Sequence, residues 1–135
     1  MTLYLLDTNH LSEGIRRVSC VRDRVQSESL AGHTFITISP ALCELERGIQ
    51  QTGAPSEYRR RLDTLLWIVQ IREMDRQSAE HYGSICEILR QRGRALLIVD
   101  RMLAAVAIQW GTILLTTDLD FTALPEIRVE NWFGE

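Results

Sequence analysis

Five short apolar or β-prone segments, each separated from the next by a helix-length stretch, constrain this chain more than any other feature. Residues 2–6 (TLYLL) read as a buried strand that ends abruptly on the polar DTN. Residues 33–39 (HTFITIS) and 68–74 (IVQIREM) have the β-branched and aromatic content of strands. A fourth strand lies within GTILLTTD (111–118), and a fifth within IRVENW (127–132). Between them the apolar residues follow a helical period. Helices are expected at 9–17, at 20–30 with Val21, Val25 and Leu30 inward, and from Ser39 as N-cap with Pro40 at the first position. A further helix places Tyr58, Leu62, Leu65 and Leu66 on one face. The helix at 76–91 has a stripe of Ala79, Tyr82, Ile85, Cys86 and Leu89 and a stop at Gly93, and 100–110 is apolar on most sides. Strands joined by helical crossovers form a parallel sheet. The fold expected is α/β: a single domain over residues 1–135, with a mostly parallel central sheet of about five strands and helices on both faces.

In an open sheet of this kind the working crevice lies beyond the carboxyl ends of the strands, near a switch in strand order. Two strands end on acids, Leu5-Leu6-Asp7 and Leu114-Leu115-Thr116-Thr117-Asp118. Each acid has an ordinary explanation. Asp7 and Asp100 stand where a helix N-cap belongs, Asp118 precedes a short turn, and Glu44 lies off the apolar face of its helix, as solvated glutamates do. Gly48, one turn on from Glu44, costs a helix about 1 kcal/mol relative to alanine, which suggests close approach to that face. Taken together the four acids come from four elements that can reach one cleft. Gathered carboxylates repel one another and take up protons unless a cation neutralises them. Hard divalent cations such as Mg2+ or Mn2+ suit an all-oxygen donor set, and a metal so held supplies hydrolytic chemistry on phosphodiesters.

Several classes are excluded. The chain has no lysine; all 15 of its basic residues are arginine. This rules out a Walker A loop, a Schiff-base enzyme and lysine-dependent phosphotransfer. There is no GxSxG elbow, and His10, His33 and His81 are scattered, reading as surface or structural groups. Cys20, Cys43 and Cys86 are odd in number and widely spaced; they fit neither a disulfide framework nor a zinc site and read as small buried hydrophobes. Trp67, Trp110 and Trp132 read as core or interface residues. The arginines at 59–61 and 90–94 read as solvated helix faces or partner contacts rather than a defined binding track. No apolar run approaches the roughly 20 residues that span a bilayer, and no signal peptide is evident, so a cytoplasmic protein is expected.

The motifs LLDTNHLS, SPALCELERG, DRMLAAVAIQWG, LLTTDLDF and VENW, in this order and spacing, resemble the PIN-domain ribonucleases, and more narrowly the VapC-type toxins of bacterial and archaeal toxin–antitoxin pairs. The likeness runs from about Leu3 to Trp132. It implies a single PIN-like domain in which Asp7, Glu44, Asp100 and Asp118 form an acidic quartet binding Mg2+ or Mn2+, with Asn9 and Thr117 in support. It further implies a metal-dependent endoribonuclease that uses a metal-activated water and leaves a 5′ phosphate and a 3′ hydroxyl, with transfer RNA as the implied target. A homodimer and a cognate antitoxin that blocks the cleft complete the expectation. Within the quartet, Asp7 and Asp100 are the principal ligands expected; Asp118 binds directly or through water, and Glu44 binds metal or orients the attacking water. Arg101 departs from the family pattern, in which a small or apolar residue is usual, and its role stays open between an acid partner and an RNA contact. Two other classes compete: a catalytically inactive PIN-like module that binds RNA or protein, and a phosphatase or receiver-like domain. The complete quartet disfavours the first; Asn9 and the missing lysine disfavour the second.

Overall fold

The computed structural model describes residues 1–134. Its five strands are β1 (Leu3–Leu6), β2 (Thr34–Thr37), β3 (Val69–Ile71), β4 (Ile113–Leu115) and β5 (Arg128–Glu130). They form one sheet in the order β3-β2-β1-β4-β5, and every pairing is parallel. Six helices intervene: α1 (Thr8–Gly14), α2 (Cys20–Leu30), α3 (Ser39–Gln50), α4 (Pro55–Leu66), α5 (Arg76–Gln91) and α6 (Ile98–Trp110). Leu5 and Leu6 point to opposite faces of β1, as do Leu114 and Leu115 of β4, and all four are fully buried. Both faces of the sheet centre are therefore covered, as the parallel arrangement requires. Strand order reverses between β1 and β4, the two strands that end on Asp7 and Thr116.

Several local expectations need correction. The helix expected over 9–17 spans only Thr8–Gly14. The turn after it is held by Arg22, whose guanidinium donates to the carbonyls of Gly14, Arg16 and Arg17 at 2.9, 2.5 and 3.0 Å. Ser39 is not an N-cap: Ile38 holds that position without a side-chain bond, and Ser39 is the first helical residue. Leu30 is 91% exposed; five residues on from Val25, it lies about 140° round the helix from the buried stripe. In α5 the inward position is Ser78, not the exposed Ala79, because Ser78 is locked by Asp75 and Gln109. The strand read at 68–74 shortens to an edge strand in which only Val69 is buried. Cys20 and Cys43 are exposed and Cys86 is half-buried, so none is the buried hydrophobe expected. Trp132 is in the core, whereas Trp67 is 89% exposed. Among the described residues no helix is long and apolar enough to cross a membrane.

Candidate active site

Asp7 is delivered by register. The β1 ladder runs one residue past the strand, the Asp7 N–H donating to the Leu115 carbonyl at 3.1 Å, so its carboxylate emerges beside the end of β4. It does cap α1: its Oδ1 accepts from the His10 N–H at 2.7 Å. Asp118 likewise caps a short 3-10 turn (Leu119–Ala123), with Oδ1 accepting from the Asp120 N–H at 2.8 Å. The ordinary explanation thus holds for both residues, and each cap occupies only one carboxylate oxygen.

Asp100 has no such explanation. Helix α6 starts two residues earlier, at Ile98, with Leu97 in the cap position and no side-chain cap bond. Asp100 therefore sits inside the first turn with its carboxylate free of capping duty. Glu44 reaches the same cleft from α3, where the Thr8 hydroxyl donates to its Oε1 at 2.6 Å. Asn9 Nδ2 donates to Thr117 Oγ1 at 3.4 Å, tying the start of α1 to the loop after β4. The Thr116 hydroxyl accepts from the Asp118 N–H at 3.1 Å and fixes that loop. Asp7, Thr8, Asn9, Glu44, Leu97, Asp100 and Asp118 line one open cleft of about 330 Å³.

The electrostatics show that these acids feel one another. Asp100 is pushed up from its usual value near 3.8 to about 6, first by burial and then by the charges of Asp118, Asp7 and Glu44, with a hydrogen bond to Asp118 adding to the effect. Every one of these influences raises it; no arginine opposes them. Arg101, adjacent in sequence, turns toward α5, its guanidinium 5.6 Å from the Tyr82 ring centroid and 3.9 Å from Cys86 Sγ. It is neither a partner for Asp100 nor part of the cleft lining. The arginines at 59–61 and 90–94 are largely committed to structure. Arg59 pairs with Glu46, Arg61 donates to the Ile15 carbonyl, Arg90 pairs with Glu87, and Arg92 bridges Glu126 and the Ala123 carbonyl.

The cleft is thus an uncompensated cluster of oxygen donors, the chemistry that suits a hard divalent cation. Among the described residues no group of three or more His, Cys, Asp or Glu side chains is already set to hold a metal ion. The donors fit such an ion in kind, in the way of sites where few carboxylates bind and waters complete the shell. A second, larger hollow of about 440 Å³ adjoins the cleft, sharing Thr8, Asn9 and Glu44 and continuing past Gly48 to Tyr58. A methyl group at Gly48 would meet nothing within 4 Å. The glycine is not demanded by internal packing; it leaves this hollow open.

The family model of the PIN domain matches residues 4–127. The chain belongs to the PIN domain family. A tRNA(fMet)-specific endonuclease VapC of Salmonella typhimurium is 28% identical over 134 residues, covering 98% of this chain and 99% of the relative. Ribonuclease VapC2 of Rickettsia felis is also 28% identical over 134 residues, covering 96% and 98%. Among solved structures, DNA-bound VapBC from Salmonella typhimurium superposes with a TM-score of 0.83 at 27% identity, over 98% of this chain and 99% of the other. VapBC2 from Rickettsia felis, bound to a promoter DNA fragment, gives 0.87 at 23% identity over 97% and 99%, a likeness of fold. The structure gathers Asp7, Asn9, Glu44, Asp100 and Asp118 of this PIN domain around one cleft, with Thr117 beside it in contact with Asn9. They missed the contributions of Thr8, Leu97 and His10. Thr8 lies inside the quoted DTN, and the signal for His10 was its position one helical turn from Asp7.

Proposed function

We propose that this chain is a divalent-metal-dependent endoribonuclease and the toxin of a toxin–antitoxin pair, with a structured RNA of the transfer RNA class as substrate. One observation carries the proposal: four carboxylates from four separate elements meet at the strand-order switch with no protein cation among them, so that Asp100 is held near 6. The names of the VapC relatives supply the RNA substrate, and the VapBC structures supply the antitoxin.

In this reading Asp7 and Asp100 are the principal holders of Mg2+ or Mn2+, Asp118 completes the site through its uncapped oxygen or through water, and Glu44 binds the ion or orients the attacking water. When bound, the ion lowers the pKa of a coordinated water and offsets charge on the phosphodiester. The chain's own part is positional. Thr8 keeps the Glu44 carboxylate directed by a 2.6 Å bond, the register with β4 fixes Asp7, and the Asn9–Thr117 contact holds the two strand ends together. Attack of water oxygen on phosphorus with loss of the 3′ oxygen leaves a 5′ phosphate and a 3′ hydroxyl. The hollow running from Glu44 past Gly48 to Tyr58 is a fitting berth for an antitoxin segment that ends in the cleft, and a homodimer is the expected assembly.

The test is cleavage of end-labelled transfer RNA by the purified protein in Mg2+, Mn2+ or EDTA, with the product ends mapped. Metal-dependent products bearing 5′ phosphates support the proposal. Tight RNA or protein binding without cleavage of any RNA in either metal overturns it in favour of an inactive binding module.

A further inference from the structure

We infer that His10 is a positioning residue for Asp7, holding one carboxylate oxygen so that the other faces the cleft, and that the chain's own C-terminal segment selects the tautomer that does so. The inference rests on Asp7 being a working residue of the cleft.

Two donors converge on the same Asp7 atom. The His10 backbone N–H meets Oδ1 at 2.7 Å, and the His10 imidazole Nδ1 meets the same Oδ1 at 3.1 Å. Helix capping explains the first, and any residue at position 10 would supply it. It does not explain the second. With both donors on Oδ1, the other oxygen is left for the cleft that Asp7 lines, where its charge acts on Asp100.

The ring has little freedom to do otherwise. His10 is 0% exposed, so its nitrogens must find partners inside the protein. Nε2 lies 3.1 Å from the backbone N of Trp132. An amide N–H only donates, so Nε2 accepts and carries no proton; the proton of the neutral ring is on Nδ1, aimed at Asp7. The opposite tautomer would set an imidazole lone pair against the carboxylate and an N–H against an N–H, both in a buried site. Trp132 is in turn clamped. Arg24 lies 4.0 Å over its ring, the Tyr4 and Phe35 rings pack at 4.9 and 5.8 Å, and its indole N–H donates to Glu130 Oε1 at 2.9 Å. Phe133 closes edge-on over the imidazole at 4.8 Å. The segment after β5 therefore acts on the cleft through one histidine, the relay by which orienting partners commonly tune a carboxylate or imidazole ligand.

Two measurements test this. Long-range 1H–15N NMR of the metal-free wild-type protein should show His10 neutral with its proton on Nδ1; a proton on Nε2 overturns the inference without any variant having to fold. Mn2+ affinity, read by calorimetry, is then compared for His10→Asn, His10→Gln and Asp7→Asn. The short Asn amide keeps a donor where Nδ1 lies, whereas Gln serves the Nε2 position and leaves Asp7 without its second bond. The inference predicts affinity weakened about 10–100-fold in His10→Gln and retained far better in His10→Asn. Equal affinity in all His10 variants, or an equal loss in both, overturns it. If Asp7→Asn itself binds Mn2+ as the wild type does, the site reading fails instead.

Discussion

Replacing Asp100 with asparagine should stabilise the metal-free protein while destroying its function. Asp100 is raised from near 3.8 to about 6 by burial and by its three acidic neighbours, so in its ionised form it strains the fold. The displacement sets a ceiling of about 3 kcal/mol. Since Asp100 is only half-buried, solvent screening brings the expected gain down to on the order of 1 kcal/mol, or about 3–5 °C in Tm for a chain of this size. The folded-state value lies above the unfolded one, so between about pH 4 and pH 6 the unfolded chain releases this proton before the folded chain does. Wild-type stability therefore falls as pH rises through that window. The advantage of Asp100→Asn should be absent near pH 4, grow up to about pH 6 and stay constant above it. Saturating Mn2+ should reverse the order, because binding to the native state adds about 2.7 kcal/mol at a hundred times Kd to the wild type alone. Thermal denaturation followed by circular dichroism, in EDTA and in Mn2+, reads all of this. An Asp100→Asn protein with native circular dichroism but lower stability than wild type in EDTA at pH 7.5 would refute the reasoning, as would a gap that ignores pH.

Other perturbations separate folding from function. Gly48→Ala, with open space where the methyl would sit, should raise stability by up to about 1 kcal/mol in urea titrations; a loss would mean that the helix needs the glycine for itself. Thr8→Val removes the donor to Glu44 and should slow RNA cleavage about 10–100-fold with Tm almost unchanged, as single-turnover assays would show. Trp132→Ala empties a core site that is only 2% exposed and should cost about 3–5 kcal/mol by chemical denaturation.

Much of this is legible in the amino-acid order alone, for physical reasons. Apolar runs that stop on an acid, such as LLD at residues 5–7 and LLTTD at 114–118, mark strand ends in a parallel sheet, and strand ends in such sheets meet at the crevice. The helix at 76–91 carries a clear apolar stripe, and it and the helix at 20–30, which buries only Val21 and Val25, are found where expected. What the sequence concealed depends on partners distant in the chain. Arg22 ends α1 early by taking three carbonyls, and Gln109 pulls Ser78 inward in place of Ala79. Asp100 looked like a cap because the apolar Ile98 and Val99 before it gave no sign of already being helical. His10 reads as an ordinary histidine until its partner 122 residues away is seen. At Asp7 the cap uses Oδ1 alone, so capping the helix does not exclude a ligand role.

The most direct test of the central claim is a paired measurement of Mn2+ binding and RNA cleavage across Asp7→Asn, Glu44→Gln, Asp100→Asn and Asp118→Asn, each first shown to be folded. The four-acid account predicts that the Asp7 and Asp100 variants lose both activities, that the Glu44 and Asp118 variants are impaired in cleavage, and that EDTA abolishes wild-type cleavage until Mg2+ or Mn2+ is restored. Metal-dependent cleavage that survives in both Asp7→Asn and Asp100→Asn would contradict it.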